Sequence, residues 1–153
     1  MIDKELFASI IEFTPLISID FILKNEKDRI LLGLRKNEPA KGFWFVPGGR
    51  ILKDESIEDA FKRISRNELG IEYNLDKSNF MGVFEHFYDN SFFGDSFSTH
   101  YIALGFELQF DGNIIGKKEQ HEEYRWFDID ELLNDPDVHK YTKNYFHKEK
   151  GIR

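Results

Sequence analysis

The segment Lys41–Ile71 concentrates residue types that do chemistry with anions and cations. Gly48 and Gly49 mark a turn, Arg50 follows, Glu55 comes after five residues from Gly49, Arg63 after seven more, and Glu68 closes the row. A glycine turn lets backbone groups approach a bound diphosphate or metal closely. A helix after such a turn can aim acidic oxygens at a hard divalent cation. Glu68 stands near the C-terminus of that helix, an end that disfavours negative charge unless a cation answers it. Elsewhere, Asp20 interrupts an apolar run between Ile19 and Phe21, and a carboxylate there needs a partner or a function. Arg35 ends another apolar run, where it either caps a sheet edge or meets an anion. His121 lies in the charged run Glu119-Gln120-His121-Glu122-Glu123. A histidine in such a loop is usually solvated, but an imidazole with an ordinary pKa of ~6.5 can also move a proton at neutral pH. There are no cysteines, which excludes a disulfide framework, a zinc-thiolate site and a catalytic thiol. Any metal ligands are therefore oxygens or imidazoles, the donors of magnesium, manganese or calcium.

These side chains need elements to position them. Ile2, Leu6, Ile10 and Phe13 recur at helical spacing, predicting an amphipathic helix over 3–12 that stops before Pro15. Residues 16–24 and 29–35 read as two strands around the polar turn Asn25–Asp28. Lys41–Arg50 reads as a short strand running into a tight loop. Ser56 is placed to cap a helix running through Asn67, with Gly70 as its stop. Two long strands follow at about 79–88 and 97–110, then a polar loop over 111–122. The run EYRWFDI predicts a strand, and 128–134 and 137–148 predict closing helices around Pro136. The mixture is α+β in one domain, with no repeat or linker.

At 153 residues the chain can bury about 70% of its unfolded surface around one core. Sixteen phenylalanines and 16% aromatic residues exclude a disordered chain. The formal charge of −7 is the wrong sign for gripping a nucleic-acid backbone. No apolar run approaches the ~20 residues of a membrane helix, and the N-terminus lacks the apolar stretch of a signal peptide. The expectation is a soluble cytoplasmic domain with no membrane or nucleic-acid partner.

The spacing from Gly49 to Ile71 resembles the Nudix box, Gly-x5-Glu-x7-Arg-Glu-U-x-Glu-Glu-x-Gly-U, where U is aliphatic. Six of nine specified positions match: Gly49, Glu55, Arg63, Glu68, Gly70 and Ile71. Ile64 and Asn67 stand where two glutamates belong, and Ser65 replaces an aliphatic residue. With Glu68 left alone in that row, a multi-metal site that activates water at phosphorus is hard to build. This altered box, together with Trp44–Arg50, His86-Phe87-Tyr88-Asp89, Thr99-His100-Tyr101 and Glu119-Gln120-His121, resembles the GDP-mannose mannosyl hydrolases. These are an atypical Nudix branch that cuts the sugar carbon–oxygen bond.

The resemblance implies a Nudix α/β/α sandwich with a mixed sheet, the box helix and an extra N-terminal helix, assembled as a homodimer. It implies magnesium, with manganese able to substitute, held by the Gly48 carbonyl, Glu68 and Gln120. It also implies His121 as general base, Arg35, Arg50, Arg63 and Tyr101 at the diphosphate, and Asp20 near the sugar of GDP-mannose or GDP-glucose. Arg63 also reads as part structural, pairing with Asn67 one turn along. His86, His100, His139 and His147 read as structural or surface positions, though His86 could touch substrate, and Tyr88 reads as core. Two rival readings stand beside this one. One is a conventional Nudix pyrophosphatase, with Glu85 or Glu119 replacing the lost glutamates. The other is a catalytically inactive nucleotide-binding module.

Overall fold

A mixed β-sheet forms the middle of the molecule because its strands carry apolar residues on both faces. The computed structural model describes residues 2–112 and 121–153, with His121 and Glu122 described by backbone alone. In chain order the elements are α1 (Lys4–Phe13), β1 (Leu16–Lys24), β2 (Ile30–Arg35), β3 (Trp44–Phe45), β4 (Gly48–Arg50) and α2 (Ile57–Leu69). They continue with β5 (Asn79–Tyr88), β6 (Thr99–Gln109), β7 (His121–Phe127), α3 (Ile129–Asn134) and α4 (Lys140–Asn144). The sheet runs β3-β2-β1-β6-β5, with β4 pairing β1 and β7 pairing β2. β1 and β6 are parallel and the other named pairs are antiparallel.

Alternation along β1 sorts its side chains between two cores. Ile19, Phe21 and Leu23 pack with Ala60, Phe61, Ile64 and Leu69 of α2. Ile22 faces the other way, into a cluster with Phe45, Phe84, Phe127, Leu132, Tyr141 and Tyr145. Helices therefore cover both faces, and the α+β sandwich expected from the sequence is the observed architecture.

The box helix α2 is set locally. Ser56 accepts a hydrogen bond from the Asp59 N–H at 3.0 Å, and Gly70 ends the helix at φ 79°, where a side chain would be strained. Some boundaries differ from expectation. α1 is shifted by one residue, and β6 starts at Thr99. β7 begins at His121, two residues before the expected EYRWFDI strand, because its pairing with β2 continues past an irregularity to place His121 opposite Arg35. The helix expected over 137–148 is shorter, reduced to α4 with a 3-10 turn at Lys148–Lys150. That break lets Ile152 return to pair with Val83 at the sheet edge. Among the described residues no helix is long and apolar enough to cross a membrane.

Candidate active site

The polar positions of the sheet share one face and one end. Ser18 and Asp20 of β1 point to the same side as Tyr101 and Ala103 of β6, and as His86 and Tyr88 of β5, because each set keeps the two-residue period through its pairing. β4 closes the end by pairing Asp20 opposite Gly48 and Ser18 opposite Arg50. The resulting pocket is lined by Asp20, Arg35, Gly48, Arg50, Tyr101, His86 and Tyr88, with Phe45 and Val46 as its apolar part.

Gly48 is dictated by close approach. A Cβ there would collide with Asp20 Oδ1 and the Ile19 carbonyl. Asp20 itself is buried, and its Oδ2 accepts a hydrogen bond from the Tyr145 hydroxyl. Burial pushes its pKa up to about 7, opposed by that hydrogen bond and by the charge of Arg35. Arg35 is held by Pro39 and Asn37 carbonyls, its Nε donating at 3.1 Å and its Nη2 at 3.5 Å. Arg50 lies over the Phe7 ring of α1, 4.9 Å from its centroid. Burial raises the Tyr101 pKa, which Arg35 and Arg50 counter, so its phenol stays neutral beside two cations.

Arg63 occupies a different place. It is bidentate to Glu55, at 2.7 and 2.9 Å, and donates to the Arg50 carbonyl at 2.8 Å. It is not on the pocket wall, and its partner is Glu55 where Asn67 was expected. Its link to the pocket is the Arg50 carbonyl. The lost box glutamates are equally physical: Ile64 is buried in the α2 core beneath Gly49, and Asn67 is exposed.

Glu68 is buried, one turn beyond Ile64 on the same side of α2. Among the described residues no group of three histidine or acidic side chains could hold a metal by itself. The expected donors among the described residues are the Glu68 carboxylate, which is not on the pocket wall, and the Gly48 carbonyl, whose residue is. Both are hard oxygens, a set suited to magnesium or manganese when phosphate oxygens complete it. Gln120, the third expected ligand, lies outside the described residues, as does Glu119. His121 is brought opposite Arg35 by backbone register.

Sequence reasoning undervalued two pocket residues. His86 is 3% exposed and stacks on Tyr141 at 4.5 Å, and burial pushes its pKa down to about 3, so it is neutral. Its Nε2 has no hydrogen-bond partner among the described residues. Tyr88 also lines the pocket. The alternation Phe84, His86, Tyr88 was the signal. It was hidden because Phe87, 57% exposed, makes the other face aromatic too.

The fold and sequence resemble known proteins. The chain is 38% identical over 122 residues to the "Low-salt glycan biosynthesis protein Agl8" of Haloferax volcanii, covering 80% of this chain and 76% of that one. It is 28% identical over 138 residues to the "ADP-ribose pyrophosphatase" of Methanocaldococcus jannaschii, covering 90% and 76%. The crystal structure of a MutT protein from Methanosarcina mazei Go1 superposes with a TM-score of 0.70 at 23% identity, covering 88% of this chain and 92% of that one. Residues 14–148 match the NUDIX domain, and the chain therefore belongs to the Nudix family.

Proposed function

We propose that this Nudix hydrolase cleaves GDP-mannose, or the related GDP-glucose, at the sugar C1–O bond, releasing GDP and the free sugar. The observation that carries the reading is the composition of the pocket. Arg35, Arg50 and Tyr101 gather beside a buried carboxyl and a neutral histidine, while α2 retains Glu68 alone of the box's usual glutamates. Such a site is rich in partners for a departing diphosphate and poor in the carboxylates that activate water at phosphorus. The choice of GDP and mannose rests on the resemblance of the altered box, and the similarity to a glycan biosynthesis protein supports a sugar substrate.

The reaction passes through an oxocarbenium-like transition state at C1. Water forms the new bond to C1, and the C1–O bond breaks with its electron pair leaving on the β-phosphate. Arg35 and Arg50 stabilise that growing charge, so no acid is needed to protonate the leaving group. His121 takes the proton from water as general base, and Asp20 faces the sugar. Attack opposite the leaving group inverts the centre, so α-linked mannose emerges as β-mannose. Glu68, the Gly48 carbonyl and Gln120 would hold magnesium or manganese, which when bound adds Lewis-acid stabilisation of the diphosphate. The same reading includes a homodimer, supported by the exposed apolar side chains Leu6 and Phe13 of α1.

A second reading is a pyrophosphatase that attacks phosphorus, favoured by the similarity to an ADP-ribose pyrophosphatase. It needs replacement carboxylates. Glu85 is exposed and alternates with His86, on the opposite side of β5 from the pocket. Hydrolysis in oxygen-18 water with magnesium separates the readings. Label in mannose with unlabelled GDP is expected, whereas label in GMP or a sugar phosphate overturns the proposal. GDP-mannose binding without turnover would instead favour a binding module.

A further inference from the structure

Tyr145 is buried, touches the pocket's carboxyl and has no part in the chemistry above. It follows α4 in a C-terminal segment fastened to the sheet on both sides of it. The Tyr141 hydroxyl accepts from the Phe87 N–H at 2.9 Å and donates to the Phe87 carbonyl at 2.7 Å. Ile152 exchanges backbone hydrogen bonds with Val83 at 2.6 and 2.8 Å. Between these anchors the Tyr145 ring lies on β6, where a Cβ at Gly105 would fall 2.8 Å from its Cε1. It also packs edge-on against Phe84, with centroids 4.5 Å apart. Ring and backbone leave the phenol little freedom, and the phenol donates to Asp20 Oδ2.

A carboxyl on its own rotates broadly about χ2. One directional donor from a fixed ring removes that freedom. The other oxygen, Oδ1, then lies against Gly48, where no side chain competes for the space. We propose that Tyr145 is a positioning residue for Asp20, its hydroxyl fixing the rotation of the carboxyl through Oδ2 so that Oδ1 is held on the Gly48 side of the pocket. The inference rests on the reading of Asp20 as the group facing the sugar.

Tyr145→Phe in the full chain tests it, because the ring packing on Gly105 and Phe84 is kept and only the hydroxyl goes. The expected result is a melting temperature within about 4 °C of wild type. GDP affinity and KM should be unchanged, with kcat for GDP-mannose lowered about tenfold. Asp20→Asn/Tyr145→Phe should be no slower than Asp20→Asn alone, since the hydroxyl acts only through the carboxyl. Undiminished kcat, or losses that multiply in the double variant, overturns the inference. A second readout does not depend on turnover. In protein carrying carbon-13 at aspartate Cγ, the resonance identified by its loss in Asp20→Asn should move in Tyr145→Phe. If the wild-type chain releases no mannose, the functional reading fails while this resonance still decides the role of Tyr145. An unmoved resonance overturns it.

Discussion

Asp20 stands between Ile19 and Phe21, both fully buried, and its pKa is raised to about 7 by the same burial. The proposed reaction gives this costly group a use at the pocket. Asp20→Asn keeps the volume and the neutral hydrogen-bonding partner for Tyr145. It should therefore fold at least as stably as wild type, yet lose about 100-fold or more in kcat, as measured by mannose release. His121 has a different signature. In the proposed mechanism it meets water and not the nucleotide, so His121→Ala should lower kcat about 100-fold or more and leave GDP affinity within about twofold by calorimetry. Full turnover in that variant would remove His121 from the mechanism.

α2 and the loop before it act as one unit through Arg63. Its guanidinium joins Glu55 to the Arg50 carbonyl, and Glu55 in turn accepts from the Leu52 N–H at 3.0 Å. The Arg63 hydrogen bonds hold the Glu55 carboxyl below its usual range. The pair's contribution is thus present above pH ~4.5 and is lost as pH falls through the lowered folded value. Arg63→Ala should cost about 1–3 kcal/mol by urea unfolding, and Arg63→Lys should recover only part of it because the planar fork is gone. This unit was legible from sequence because its cues are local: Ser56 and Gly70 bracket one helix, and Glu55 and Arg63 stand at box spacing. The pairing of Glu55 with Arg63 was not, since it depends on the turn at Leu52–Glu55 folding back over eight residues. His86 and Tyr145 were hidden for a related reason. Their place at the pocket is set by β5–β6 register and by a chain reversal after α4, both long-range facts that a period cannot carry.

Across the whole molecule, two buried neutral histidines, His86 on the pocket wall and His139 outside it, make stability depend on pH. Burial lowers His86 to about 3 and His139 to about 4, whereas an unfolded histidine binds its proton near pH ~6.5. Above that pH neither state is protonated and nothing changes. Below it the unfolded chain takes up protons that the folded one refuses, so stability falls from pH 6.5 downward. His86 alone accounts for up to about 2 kcal/mol at pH 5. Asp20 works in the opposite sense over part of this interval, since the folded state keeps its proton to about pH 7 and the unfolded carboxyl does not. Among the described residues, the wild-type slope over this interval sets two histidines against one carboxyl, with Arg35 and Lys140 adding positive charge beside His139. A difference measurement isolates the histidine. His86→Phe keeps an aromatic ring stacked on Tyr141 and removes the titrating group. Between pH 7.5 and 5 it should lose about 2 kcal/mol less than wild type in urea unfolding, equivalent to roughly 4–8 °C in melting temperature. Equal losses in the two proteins would mean that His86 is already charged, or already solvated, in the folded state.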